Sequence, residues 1–152
     1  EVMKEQAKRS IVERGEPVWM GCDVGKMMQR DEGIWDAEMF DYGALYGTDF
    51  DLDKSERLRY HQTFMTHAML FTGVDVVGDT ARRWRVENSW GDKNGRKGFY
   101  VMNDSWFDEY MFEVAVRRED LPADLQAALE QEPIVLPAWD PMGALAAPGV
   151  PR

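Results

Sequence analysis

The sequence predicts an α+β fold: an antiparallel sheet that curls towards a barrel, with flanking helices and an extended C-terminal arm. Three observations carry this. Apolar residues recur at helical spacing at the start, and from residue 67 four short apolar runs are separated by Gly, Asn and Asp. Five of the seven prolines crowd into residues 133–152. At 152 residues and 44% hydrophobic, the chain is one domain with room for a core.

Taken in order, Val2, Met3, Ala7 and Ile11 lie three to four residues apart with charges between them, as on an amphipathic helix over residues 1–14. Arg14-Gly15 ends it. The apolar run Pro17-Val-Trp-Met-Gly-Cys-Asp-Val24 reads as a buried strand. Residues 25–52, rich in Met, Gly and Asp, have no clean period and read as a long, partly ordered excursion. Asp53 precedes a helix start as an acidic N-cap ahead of Leu58. Runs at 67–74, 84–88, 98–102 and 110–116 read as four strands, with turns at Gly78-Asp79 and Asn94-Gly95. Their local connections favour an antiparallel sheet. Pro122, Leu125, Ala128 and Leu129 mark a short helix that stops before Pro133, and the proline-rich remainder is expected to be extended.

Composition excludes several classes of function. There are 18 Lys and Arg against 28 Asp and Glu, a net charge of −10, the opposite of what a phosphate-backbone reader needs. The cluster Arg82-Arg83-Trp84-Arg85 is too short to change that, so nucleic acid is not expected as a partner of this segment. No apolar run of membrane-spanning length and no signal-peptide pattern occurs, so no membrane partner is expected. The single cysteine, Cys22, rules out an internal disulfide framework and points to a reducing, cytoplasmic compartment. The chain opens Glu-Val-Met-Lys-Glu-Gln, in what reads as mid-helix, and we expect it to be a piece of something longer.

Several motifs have a bland explanation that outweighs a chemical one. Asp49-x-Asp51-x-Asp53 resembles the opening of a calcium loop, but Lys54 and Tyr60 stand where that motif wants Gly and Glu. Solvated charge is the better account. Asn103-Asp-Ser105 fits a glycosylation pattern that has no meaning without a secretory signal. His61, His67 and Cys22 match no common zinc spacing. We expect neither a metal nor any other cofactor.

His67 is different, because it opens an apolar strand where an imidazole needs a partner or a task. Alone, it would count as a satisfied structural histidine. Twenty-one residues on comes Glu87-Asn-Ser-Trp-Gly91, then the Gly-rich Gly95-Arg-Lys-Gly-Phe-Tyr100. An asparagine ending the next strand can accept a hydrogen bond from one ring nitrogen, fixing tautomer and orientation and freeing the other nitrogen for a nucleophile. Trp90 can then cover that bond and keep water off it.

With these residues the chain resembles the second half of papain-like cysteine peptidases. Within that group it is similar to the bleomycin hydrolase family, called aminopeptidase C in bacteria. The segments that carry the likeness are Trp19-Met-Gly-Cys-Asp-Val-Gly-Lys26, Met65-Thr-His-Ala-Met69, Trp84-Arg-Val-Glu-Asn-Ser-Trp-Gly91 and Trp139-Asp-Pro-Met-Gly-Ala-Leu145. The likeness runs from the first residues to about Ala146. It implies a papain-like fold, with residues 1–135 as the sheet-rich half and 136–152 as the arm. His67 matches the catalytic histidine, Asn88 the asparagine that orients it, and Trp90 the flanking tryptophan. Nothing in this chain matches the segment that carries the family's nucleophilic cysteine and oxyanion-hole glutamine. Cys22 falls on a strand of the barrel half and is expected to be structural.

The same resemblance implies a cytosolic thiol aminopeptidase, a homohexamer acting on peptides or aminoacyl amides. It also implies a C-terminal arm that enters the cleft and confines substrates to those with a free N-terminus. Residues 147–152 depart from the family's ending. The rival expectation is a non-catalytic binding or assembly module that kept the fold. In either case this chain alone should be inactive, because an imidazole without a thiolate has nothing to activate.

Overall fold

The computed structural model describes residues 1–142. Helix α1 (Val2–Arg14) closes on Gly15, whose left-handed φ of 67° lets its N–H return to the Ile11 carbonyl. Ala7 and Ser10 are its buried positions, with Met3 and Ile11 packed at the margin of the core. Val2, expected on the apolar stripe, is exposed.

Strand β1 (Val18–Cys22) follows, buried everywhere except at Trp19. The excursion holds more order than its composition suggested: short strands β2 (Met28–Gln29) and β3 (Ile34–Trp35), then helix α2 (Tyr42–Tyr46). Helix α3 (Lys54–Arg59) starts where expected. Asp53 accepts from the Glu56 N–H while the Glu56 carboxylate accepts from the Asp53 N–H, a reciprocal cap. That local hydrogen bonding accounts for the last of the three spaced aspartates.

Strands β4 (His67–Val77) and β5 (Thr80–Glu87) form a hairpin turning at Gly78 (φ 61°) and Asp79, and both are longer than their apolar runs. Strand β6 (Phe99–Asn103) pairs with β5. Helix α4 (Asp104–Tyr110) leads directly into β7 (Met111–Val114), so the strand expected from Tyr110 begins one residue later. A short helix, α5 (Ala123–Ala128), occupies the expected place before Pro133.

The seven strands make one sheet in the order β2-β3-β6-β5-β4-β1-β7. The expected antiparallel pairing holds for every pair of neighbours but one, which makes the sheet mixed: β3 runs parallel to β6, Ile34 facing Val101 and Trp35 facing Met102. The excursion leaves β1 and reaches the far side of the sheet beyond β6. It is held there by backbone bonds, the Val101 N–H to the Gly33 carbonyl at 2.8 Å and the Gly95 N–H to the Asp31 carbonyl at 3.0 Å. A side chain at Gly33 would meet Gly95 Cα at 2.6 Å, so only glycine allows this approach.

The core lies between the sheet and helices α1 and α4. Phe71 and Phe107 stack at 5.7 Å and Trp84 meets both rings at a tilt, 4.9 and 5.1 Å away, while Trp35 and Trp106 extend the cluster. The Trp84 indole N–H donates to Asp104, which also pairs with Lys4, so one carboxylate ties β5, α4 and α1 together. Among the described residues no helix is long and apolar enough to cross a membrane. After Glu132 the chain has no regular element up to a turn at Trp139, and the Pro141 carbonyl accepts from the Met65 N–H at 3.0 Å. The rest of the arm, including residues 147–152, lies outside the described residues.

Candidate active site

The site is built where β4 begins and β5 ends. The antiparallel register of β4 on β1 sets His67 opposite Cys22. The pairing of β5 with β4 brings Glu87 opposite Leu70, and Asn88 is the next residue. That delivers the two side chains to each other: His67 Nε2 lies 2.9 Å from Asn88 Oδ1.

The hydrogen bonding around this contact fixes its chemistry. The Ser89 N–H donates to Asn88 Oδ1 at 2.8 Å, which identifies that atom as the amide oxygen. An oxygen only accepts, so the proton of the bond sits on His67 Nε2. A neutral imidazole with Nε2–H carries its lone pair on Nδ1. Nδ1 is then the nitrogen able to take or give a proton. The backbone N–H of Asn88 donates to the Gly98 carbonyl at 3.2 Å, holding the residue in place. Its buried Nδ2 has no partner among the described residues, a local cost accepted by a side chain positioned through its other end.

Trp90 lies over the pair, its ring 4.9 Å from the imidazole and inclined by 30°. Tyr100 of β6 meets the same indole edge-on at 6.3 Å. Arg30, from the turn after β2, places its guanidinium 4.9 Å from the Trp90 ring centre. Sequence reasoning missed Arg30, since nothing in the pattern of residues 25–52 says which ring that turn will reach.

Cys22 is fully buried, and burial pushes its thiol up, with the Asp23 carboxylate adding to the effect. A nucleophilic thiol needs the opposite environment. His61 is exposed in the turn after α3, its ring 6.4 Å from Trp139, so the imagined set of His61, His67 and Cys22 is not brought together. Among the described residues no cluster of three or more His, Cys, Asp or Glu side chains could hold a metal ion. A cavity of about 800 Å³, lined by Tyr42, Phe50, Arg57 and Tyr110 among others, includes neither His67 nor Asn88.

A second feature that sequence reasoning missed is Asp23, 3% exposed, accepting from the Thr63 hydroxyl at 2.8 Å. Burial raises its carboxyl above the ordinary range, against the hydrogen bond from Thr63 and the charge of Lys26. The folded state therefore holds this proton more tightly than the unfolded chain, and Asp23 lowers stability as pH rises from about 4 through its folded value. Asp23→Asn removes that ionisation. Its urea midpoint relative to the unmodified chain should improve as pH rises from about 4 through the folded value of the Asp23 carboxyl and then level off; a difference that does not vary with pH would refute the account.

An imidazole oriented by an amide and shielded by an indole, at the rim of a curled mixed sheet, has the makings of an acyl-transfer base. The comparisons give the family of the chain. It belongs to the Peptidase C1-like family, whose model matches residues 1–143. It is 47% identical over 148 residues to bleomycin hydrolase from Homo sapiens, covering 95% of this chain and 32% of that protein. It is 44% identical over 142 residues to aminopeptidase C from Listeria innocua, covering 93% of this chain and 32% of that one. Among solved structures, PepW from Lactobacillus rhamnosis HN001 superposes with a TM-score of 0.86 at 44% identity, over 92% of this chain and 32% of that chain. The fold is α+β and papain-like, with a mixed sheet forming a half-barrel. The chain spans about a third of the length of the relatives it matches.

Proposed function

We propose that this chain is the His/Asn portion of a thiol aminopeptidase of the bleomycin hydrolase type. The observation that carries this is the 2.9 Å contact between His67 Nε2 and Asn88 Oδ1, which leaves Nδ1 free to serve a thiol. In this mechanism His67 Nδ1 takes the proton of a cysteine thiol supplied from outside these residues. The thiolate attacks the substrate carbonyl carbon, and the carbon–nitrogen bond breaks as His67 protonates the leaving amine. Water, deprotonated by the same nitrogen, then hydrolyses the thioester and returns the thiol. Asn88 keeps the ring turned for both transfers. Trp90 limits water at the bond between them.

The arm belongs to the same proposal. The bond from the Met65 N–H to the Pro141 carbonyl brings the chain's last described residues within two positions of His67, and this supports an arm that closes one side of the cleft. Such a block would exclude long chains and favour substrates with a free N-terminus. A cytoplasmic homo-oligomer, a hexamer in the family's manner, is part of the proposal too. The exposed aromatic run Phe40, Tyr42, Tyr46 and Phe50 supports it as a contact surface.

The second proposal, a non-catalytic binding or assembly module, is favoured by one observation: the only thiol, Cys22, is buried. Both proposals expect no aminoacyl-amide hydrolysis from the 152-residue chain by itself. The assay is release of a chromogenic amine from an aminoacyl amide. Appreciable turnover that disappears in Cys22→Ala would overturn the assignment of Cys22 and with it the need for an outside nucleophile. The two proposals separate in the full-length protein, where only the first expects hydrolysis that depends on His67.

A further inference from the structure

We propose that Arg30 is a positioning residue for the His67–Asn88 pair, holding the Trp90 indole against the imidazole. This rests on His67 acting as the base. Trp90 follows β5 in a loop, and among the described residues neither its backbone nor its indole N–H makes a hydrogen bond. Ring contacts therefore hold it: His67 at 4.9 Å, the edge of Tyr100 at 6.3 Å, and the Arg30 guanidinium at 4.9 Å.

The turn that carries Arg30 is firmly placed. The Gln29 side-chain oxygen accepts from the Asp31 and Glu32 N–H groups at 2.8 and 3.3 Å. Beyond it, the Asp31 and Gly33 carbonyls accept from Gly95 and Val101, so the turn is bonded to both sides of the segment that leads into β6 and Tyr100. Arg30 and Tyr100 thus reach Trp90 from one braced assembly. Arg30 is exposed, and among the described residues its guanidinium has no ion pair and no hydrogen bond. In a chain with 28 acidic residues, a cation that rests on an indole and not on a carboxylate is placed by its ring contact. A planar, weakly hydrated guanidinium suits that contact better than an ammonium does.

The test uses Arg30→Gln and Arg30→Lys. Because the chain has only two histidines, the imidazole protons of His67 can be followed by NMR, with His61 as the internal reference. The Trp90 ring current should displace the His67 signals most in the unmodified chain, less in Arg30→Lys and least in Arg30→Gln. The core amides of Val86 and Met69 check that the fold persists, and Arg30→Lys serves alone if Arg30→Gln fails that check. In the full-length enzyme, Arg30→Gln should lower kcat roughly two- to fivefold with KM unchanged, the size of an exposed cation–π contact. Arg30→Lys should restore part of the loss. Identical His67 shifts in every variant that folds would overturn the proposal, and so would an altered shift with unaltered kcat. Retained activity in His67→Ala would instead sink the underlying mechanism while leaving the ring-current result standing.

Discussion

In a full-length enzyme that contains this chain, His67→Ala is expected to lower kcat/KM for aminoacyl amides by about 10³- to 10⁴-fold. The loss should fall on kcat, because proton transfer to and from the sulfur and the leaving nitrogen occurs on the way to the transition state. Asn88→Ala should cost less than His67→Ala. Asn88 accepts the Nε2 proton at 2.9 Å and orients the ring but moves no proton itself. Steady-state kinetics with a single aminoacyl substrate would measure both. Hydrolysis at near the unmodified rate in His67→Ala would exclude this histidine as the base and leave the assembly-module proposal standing.

The second large effect concerns stability. Trp84→Ala should destabilise the chain by about 3–5 kcal/mol, the range for emptying a large aromatic from a packed core. Trp84 is fully buried, lies 4.9 and 5.1 Å from the rings of Phe71 and Phe107, and bonds Asp104 through its indole N–H. Total stabilities of single domains are about 5–15 kcal/mol, so the loss could leave little folded protein. Trp84→Phe should lose much less, since it keeps most of the ring contacts and gives up the one donor. Urea unfolding followed by circular dichroism distinguishes these. A decrease below about 1 kcal/mol for Trp84→Ala would show that the aromatic cluster does not hold α1 and α4 to the sheet.

These two expectations draw on information that the sequence held very unequally. His67 and Asn88 were legible because their segments are short and distinctive, and because the residues between them make one hairpin. A hairpin has local connections, so the apolar runs and the turn at Gly78 already place its two ends together. The partnership of Trp84 with Phe71 follows from the same hairpin, whereas Phe107 belongs to α4. Residues 104–110 were not expected to be helical; a seven-residue helix with two buried aromatics carries too few turns to display its period.

What the sequence by itself determined is the set of elements whose signals are local. These are the stop of α1 at Gly15, the acidic N-cap at Asp53, the β4–β5 hairpin, and the short helix before Pro133. Each depends on hydrogen bonds or apolar periodicity within a few residues, and residue type alone encodes those. Only the tertiary structure decided that β3 lies parallel to β6, that Arg30 stands over Trp90, that Asp23 is sealed against Thr63, and that Pro141 returns to Met65. Each of these joins segments dozens of residues apart. Two do so through backbone N–H and carbonyl groups, which every non-proline residue carries and which therefore leave no mark in the sequence.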